Sequence, residues 1–221
     1  NIPDSVPRIG DYAFYSCTGL TAFNVDAANT SYCSTNGVLF NKNLTTLIQY
    51  PMGKTGSYAI PDTVTRIEGS AFEDCAGLTN ITIPDSVTRI GGYAFYGCAG
   101  LTSVLFKGNS PSSSYDSISA ATTVYYLPGT TGWGTTFAGR PTLCWNPTVQ
   151  HDANFGFASN RFGFNITGTM NIPILVEATT NLSSNVWAPI LTNTNILSTG
   201  TLFFRDPSTN NPVRFYRIVW P

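Results

Sequence analysis

The chain has 221 residues, a net charge of −1 and only 10% charged residues. That length allows one large domain or two modest ones, and scattered basic residues argue against nucleic-acid binding, which needs a cluster of Lys and Arg. With 42% hydrophobic and 13% aromatic residues the chain can support a core, which argues against disorder. No apolar run approaches the roughly 20 residues of a membrane helix. The abundance of Thr, Ser, Asn and Gly suggests an extracellular protein.

The chain opens on Ile2-Pro3-Asp4-Ser5-Val6-Pro7-Arg8-Ile9. The phrase returns at Ile60 to Ile67 and at Ile83 to Ile90. The last two copies are about 23 residues apart, inside the range of leucine-rich repeats. Each copy is followed by Ala-Phe-x-x-Cys, at Ala13 to Cys17, Ala71 to Cys75 and Ala94 to Cys98. Gly-Leu-Thr closes each unit at Gly19, Gly77 and Gly100. A unit this short cannot bury its own apolar face, so the repeat predicts a stacked solenoid. Asn1 falls inside a repeat, which leads us to expect a native chain extended N-terminally by more repeats, a cap and an export signal.

Within a unit, Leu78 to Ile83 reads as a strand with Leu78, Ile81 and Ile83 facing in and Asn80 and Thr82 facing out. Pro84 ends the ladder because it has no N–H to donate. Val87 to Ile90 makes a second extended stretch, and Gly91 to Cys98 a short helical turn with Ala94 and Cys98 on one side. Cys17, Cys75 and Cys98 therefore read as a ladder of buried thiols, beside a matching ladder of Phe14, Phe72 and Phe95. Cys33 and Cys144 lie outside it, and no bridge between them is expected. No cysteine or histidine spacing suggests zinc.

The stretch from Ile2 to Ile60 is longer than the period, roughly 23 plus 35 residues. Its extra length holds residues 37–51, two apolar runs around Asn41-Lys42-Asn43, which read as a β-hairpin insertion. After Phe106 the repeat fades. Thr123 to Leu127 and Thr142 to Trp145 read as strands, with a possible helical turn from Trp133 to Phe137. Residues 123–146 are then a C-terminal cap over the last apolar face, and residues 1–146 form the solenoid. From residue 147 to 221 the pattern changes to short strand candidates at Phe162 to Ile166, Ile174 to Ala178, Trp187 to Leu191, Thr201 to Phe204 and Arg214 to Trp220. Turn signals separate them, which suggests a small antiparallel β-sandwich. The fold class expected is mainly β: a leucine-rich-repeat solenoid of short strands and short helical turns, followed by that sandwich.

The Ile-Pro-Asp-Ser-Val-Thr-x-Ile-Gly…Ala-Phe-x-x-Cys-x-Gly-Leu-Thr unit resembles the BspA-like leucine-rich repeats of bacterial surface proteins. The hairpin and the segment from Val124 to Pro141 are similar to stretches common in that family. The final stretch resembles a β-sandwich module that ends many secreted bacterial proteins, through Val176-Glu177-Ala178, Asn181-Leu182, Trp187, Phe204, Asp206 and Arg214 to Arg217. The resemblance implies secretion and display outside a bacterial cell. Some members of the family are adhesins, and the family has no catalytic motif to carry over.

Candidate sites are few. Gly53-Lys54-Thr55 ends like a phosphate loop, but Ile48 stands where that loop needs Gly, so it reads as a turn. His151-Asp152 has no nucleophile aligned with it and reads as a solvated linker pair. Asp4, Asp62 and Asp85, each four residues before Arg8, Arg66 and Arg89, make either a charged stripe for a partner or an exposed Asp/Arg ladder. Asp206 to Asn211 could hold calcium, or simply form a turn. The sequons at Asn29, Asn43, Asn80, Asn165 and Asn181 are expected by chance in so Asn- and Thr-rich a chain. Asn24, Ala59, Asn80, Thr82, Ser103 and Leu105 mark an outward strip able to meet a protein or a glycan. Tyr12, Tyr15, Tyr93 and Tyr96 flank the turns, as interface residues or as packing between coils.

No catalytic residue, metal site or cofactor is expected. The reading is a secreted or cell-surface, non-enzymatic binding or adhesion module that recognises protein or polysaccharide through its repeats. A self-assembling filament or surface-layer subunit is the alternative, and a carbohydrate-binding accessory of an enzyme a third.

Overall fold

A run of 23 residues returns the chain to the place it left. In the computed structural model Ile81 stands beside Val104, Arg66 beside Arg89 and Ile67 beside Ile90. The first coil closes the same way, through a parallel bridge from Ile2 to Val25. The structure describes residues 1–10, 12–114, 117–119, 121–170, 172–184, 186–196, 200–208 and 213–220. It divides into two units, Asn1–Leu143 and Cys144–Pro221.

The first unit carries β1 (Tyr32–Thr35), β2 (Val38–Asn41), β3 (Thr46–Gln49), β4 (Gly56–Ala59), β5 (Arg66–Ile67) and β6 (Leu78–Ile83). These are followed by β7 (Arg89–Ile90), β8 (Ser103–Phe106), β9 (Ser112–Ser113), β10 (Thr123–Tyr126), β11 (Thr136–Phe137) and β12 (Arg140–Cys144). One sheet runs β1-β2-β3-β5-β7-β9 and the other β11-β12-β10-β8-β6-β4. Strands from successive coils pair in parallel, β4 with β6, β6 with β8 and β8 with β10. Leu78, Ile81 and Ile83 are buried, as the alternation in the sequence requires. Phe106 closes the last coil against Trp133 and Phe137, with ring centroids 5.0 and 5.3 Å away. Thr136–Phe137 is a strand, not the expected helical turn.

The turns between strands are not helical either. Tyr12, Ser70 and Tyr93 occupy one repeat position, and all three have φ of 57°. Ser16, Asp74 and Gly97 share a second position, with φ of 58°, 55° and 70°. A left-handed residue at each end of the Ala-Phe-x-x-Cys turn interrupts helical propagation. The amides turn outward to the next coil instead. Ser70, Phe72 and Asp74 donate to the carbonyls of Gly92, Ala94 and Tyr96 at 3.0, 2.8 and 2.8 Å. The coil of β5 is thus hydrogen-bonded to the next through its turn as well as its strands.

The long unit is a wall. β1, β2 and β3 form an antiparallel meander, and β3 then pairs in parallel with β5. Val38, Phe40 and Leu47 enter the main core, while Leu39 enters a separate core with Ile2 and Phe23. The wall begins earlier than the hairpin read from the sequence, because Tyr32–Thr35 pairs with β2. It divides the first coil's interior from the rest, which breaks both expected ladders. Phe72 stacks on Phe95 at 4.7 Å, but the ring beyond Phe72 is Tyr50, at 5.0 Å. Phe14 packs instead against Phe23 at 4.7 Å in the first coil's core. Cys75 and Cys98 are fully buried and Cys17 is exposed.

The second unit carries β13 (Thr148–Gln150), β14 (Gly156–Ala158), β15 (Arg161–Thr167), β16 (Ile172–Thr179), β17 (Ala188–Ile196), β18 (Thr201–Arg205) and β19 (Phe215–Val219). β15 pairs with β13, β14 and β18, and β16 pairs with β17 and β19, all antiparallel. β13 and β14 carry no clear alternation in the sequence. Ring contacts join the two sheets: Phe162 and Phe204 lie 5.3 and 5.9 Å from Tyr216.

Candidate functional site

The outward strip of the parallel sheet is narrower than its sequence suggests. Asn24 and Ala59 are exposed, and Asn80 and Thr82 are half-buried. Ser103 and Leu105, expected on the open strip, are buried. The Ser103 hydroxyl donates to Asn80 Oδ1, and Leu105 stands in register between Thr82 and Tyr125, itself buried. Neighbouring strands lie about 4.8 Å apart, so a bulky register partner covers the residue beside it. Asn24 belongs to the first coil, where its carbonyl accepts from the Ile2 amide at 2.7 Å. The strip is small, flat and interrupted.

The turns present a different surface. Tyr12 and Tyr15 are 73% and 59% exposed, and Tyr93 and Tyr96 are 44% and 50% exposed. Each pair meets edge to face, at 6.2 and 5.6 Å. These are repeat-equivalent positions, so both pairs stand on one flank of the solenoid. Each ring thus presents a large part of its surface to solvent, while Tyr93 and Tyr96 also bury about half of theirs.

A cleft of about 550 Å³ opens on that flank. Its origin is local. Between the first coil and the coil of β5, the chain runs from Tyr50 to Gly53 without an Ala-Phe-x-x-Cys turn. The Tyr50 amide donates to the Ala71 carbonyl at 2.7 Å and the Gly53 amide to the Leu20 carbonyl at 2.8 Å, which closes this short path. The turn of the first coil is left without a neighbour on that side. Tyr12 and Tyr15 of the first coil line the cleft together with Glu68, Ser70, Glu73 and Tyr93. Among the described residues no Lys or Arg lines it. Glu68 pairs with Arg66 at 2.9 Å, so the expected pairing of Arg66 with Asp62 gives way to a nearer carboxylate. Glu73 is half-buried, and no donor reaches its carboxylate among the described residues.

The other candidates resolve into structure. Gly53-Lys54-Thr55 is a turn leading into β4, not a helix. Asn29 is fully buried, and its side-chain amide donates to the carbonyls of Pro3 and Val6 at 2.8 and 3.0 Å. His151 is exposed and its ring lies 4.2 Å from that of Phe155. Asp206 is buried and holds a cation already, since Arg214 Nη1 reaches both its carboxylate oxygens at 2.6 and 2.7 Å. The Tyr216 hydroxyl adds a bond at 2.6 Å and the Ser208 amide one at 2.8 Å. Burial alone would raise the Asp206 pKa, but these bonds and the Arg214 charge outweigh it and hold the carboxyl below its usual range. Residues 209–211 of the proposed calcium loop lie outside the described residues. Among the described residues no three His, Cys, Asp or Glu side chains gather as metal ligands, and no helix is long and apolar enough to cross a membrane.

Glu73 was not singled out from the sequence. Its signal was present: it stands where the flanking repeats carry Tyr15 and Tyr96, beside a unit that lacks its turn.

These stacked coils define a leucine-rich-repeat solenoid, an architecture that presents surface for binding. The chain belongs to the BspA type leucine rich repeat family, whose model matches residues 1–50 and 50–125 in 6 copies. Three solved bacterial structures are similar to it. A leucine-rich repeat protein from Eubacterium ventriosum is 29% identical, with a TM-score of 0.43, over 57% of this chain and 41% of its own. A leucine rich cell surface protein from Faecalibacterium prausnitzii is 24% identical, with a TM-score of 0.45, over 66% of this chain and 47% of its own. The pneumococcal vaccine antigen PcpA is 18% identical, with a TM-score of 0.42, over 66% and 55%. The chain thus spans less than two thirds of the length of each. No curated protein matches it.

Proposed function

We propose that this protein is a non-enzymatic binding module displayed on or outside a bacterial cell, recognising protein or glycan through the turn flank of its repeats. The carrying observation is the pair of tyrosine pairs, Tyr12–Tyr15 and Tyr93–Tyr96, held exposed on one flank beside a cleft. Tyrosine brings a large amphipathic contact at low entropic cost, which is why binding surfaces are rich in it. Membership of the repeat family supports the reading.

The test is a binding screen of the intact chain against immobilised matrix proteins, polysaccharides and bacterial surfaces, repeated with Tyr12, Tyr15, Tyr93 and Tyr96 all changed to Ser. Saturable binding that the quadruple variant loses, with an unchanged melting temperature, is expected. A hit that the variant keeps would move the interface elsewhere, and silence across the panel would remove the reading.

A further inference from the structure

We propose that the cleft between the first coil and the β5 coil takes the cationic side chain of an arginine- or lysine-bearing segment of a protein partner. The proposal rests on the binding-module reading and names the chemistry of its contact.

The sign of the cleft comes first. Among the described residues its lining has two carboxylates, Glu68 and Glu73, and no basic residue. Glu68 is engaged by Arg66, but that pair is exposed on both sides, at 44% and 36%, and an exposed pair is weak. Glu73 is half-buried with no hydrogen-bond donor among the described residues. Glu73 therefore offers an incoming cation a carboxylate that no described protein group already engages.

The rings come second. Tyr12, Tyr15 and Tyr93 line the same cleft as Glu73. A guanidinium or ammonium within about 6 Å of a ring face is attracted by the ring quadrupole. Aromatic rings in one cleft with a carboxylate suit a cation better than a neutral sugar, which would leave the charge of Glu73 unanswered.

The third point is position. The turns of the first and fourth coils carry Tyr at both of these sites, whereas the turn at the cleft wall carries Ser70 and Glu73. The pattern changes at the wall of the opening made by the shortened unit. Its volume of about 550 Å³ exceeds one side chain and leaves room for the flanking backbone of a peptide.

The experiment titrates the full chain, by NMR of its tyrosine ring resonances, with the peptide Ac-Gly-Gly-Arg-Gly-Gly-NH2. Parallel arms use the lysine peptide, the neutral citrulline isostere and cellotriose. The two cationic peptides should shift the Tyr12 and Tyr15 resonances saturably, with citrulline about tenfold weaker. Glu73→Gln should weaken the arginine peptide about fivefold or more at an unchanged melting temperature. No saturation by either cationic peptide, equal binding of citrulline, indifference to Glu73→Gln, or saturation by cellotriose alone would each overturn the proposal. If a screened partner is lost by the tyrosine variant yet kept by Glu73→Gln, the module reading stands and this inference falls.

Discussion

Leu39 and Phe40 are consecutive residues of β2, both completely buried, and they belong to different cores. A strand sends successive side chains to opposite faces, so a strand buried on both sides is apolar at every position. Val38-Leu39-Phe40 is such a run, and it makes the hairpin a partition within the solenoid.

The partition predicts two distinct responses to truncation. Phe40→Ala removes a ring from the main core and should cost about 3–5 kcal/mol, with a lower melting temperature for the whole first unit. Leu39→Ala should cost about 2–5 kcal/mol, but chiefly to the first coil. Hydrogen exchange would then accelerate at the amides of Ile2, Phe23 and Asp26 and stay slow at Phe72 and Phe95. Uniform acceleration in both variants would mean that the two cores act as one.

Thiol chemistry should follow the same division. Cys98 is buried, its Sγ donates to the Phe72 carbonyl at 2.9 Å, and desolvation pushes its pKa up to about 12. Burial pushes Cys75 higher still, with the neighbouring Cys98 adding to the effect. Only thiolate reacts readily. At pH 8 a disulfide reagent should modify exposed Cys17 first. Cys33 and Cys144, half-buried and shifted upward by desolvation, should follow more slowly. Cys75 and Cys98 should react only on unfolding. Mass spectrometry of the labelled peptides gives the order, and early labelling of Cys98 would contradict the buried ladder.

Two glycines at one repeat position provide a third test. A Cβ on Gly91 would sit 2.3 Å from the Gly69 backbone nitrogen, whereas a Cβ on Gly10 would meet nothing within 4 Å. Gly91 lies against the coil 23 residues before it, whereas no earlier coil lies against Gly10 among the described residues. Gly91→Ala should destabilise by about 1–3 kcal/mol, since two coil backbones would have to separate. Gly10→Ala should be close to neutral. Equal losses in chemical denaturation would contradict the close approach of Gly91 to the Gly69 backbone.

The pH dependence of the second unit should carry the mark of Asp206. Its folded pKa lies below the ordinary carboxylate value, so its ionised form stabilises the fold. That contribution is complete above the unfolded pKa of about 3.9 and is lost as pH falls through the depressed folded value. Asp206→Asn should cost about 2–4 kcal/mol at neutral pH, because it removes the charge that answers Arg214 and replaces one of the two acceptor oxygens by a donor. The variant's stability should also vary less with pH below about 4. An unchanged acid limb would assign acid sensitivity to other carboxylates.

Much of the solenoid was legible in the sequence, because register and repeat are the same quantity here. The spacing of the Ile-Pro-Asp phrases is the pairing of Arg66 with Arg89, and the alternation in Leu78 to Ile83 is its burial. Turn geometry was less legible. Ala-Phe-x-x-Cys has helical spacing, and the left-handed φ of Tyr12, Ser70 and Tyr93 is carried by residues that do not advertise it. The cleft was hidden because it arises from what one coil lacks. Cys17 matches Cys75 in motif, yet one is exposed and the other buried. Ser103 and Leu105 were misplaced for a related reason: alternation assigns a face, while the size of the register partner decides whether that face sees water.

Because a residue and its counterpart 23 positions on make equivalent contacts, the stack from β5 onward has no intrinsic length. A duplication or deletion of one whole coil, at the level of the gene, would leave both the wall and the cap with the neighbours they already have. The number of coils can therefore change by whole units, and the length of one coil is itself adjustable, since Ser103 pairs with Thr123 after only 20 residues and the ladder stays parallel.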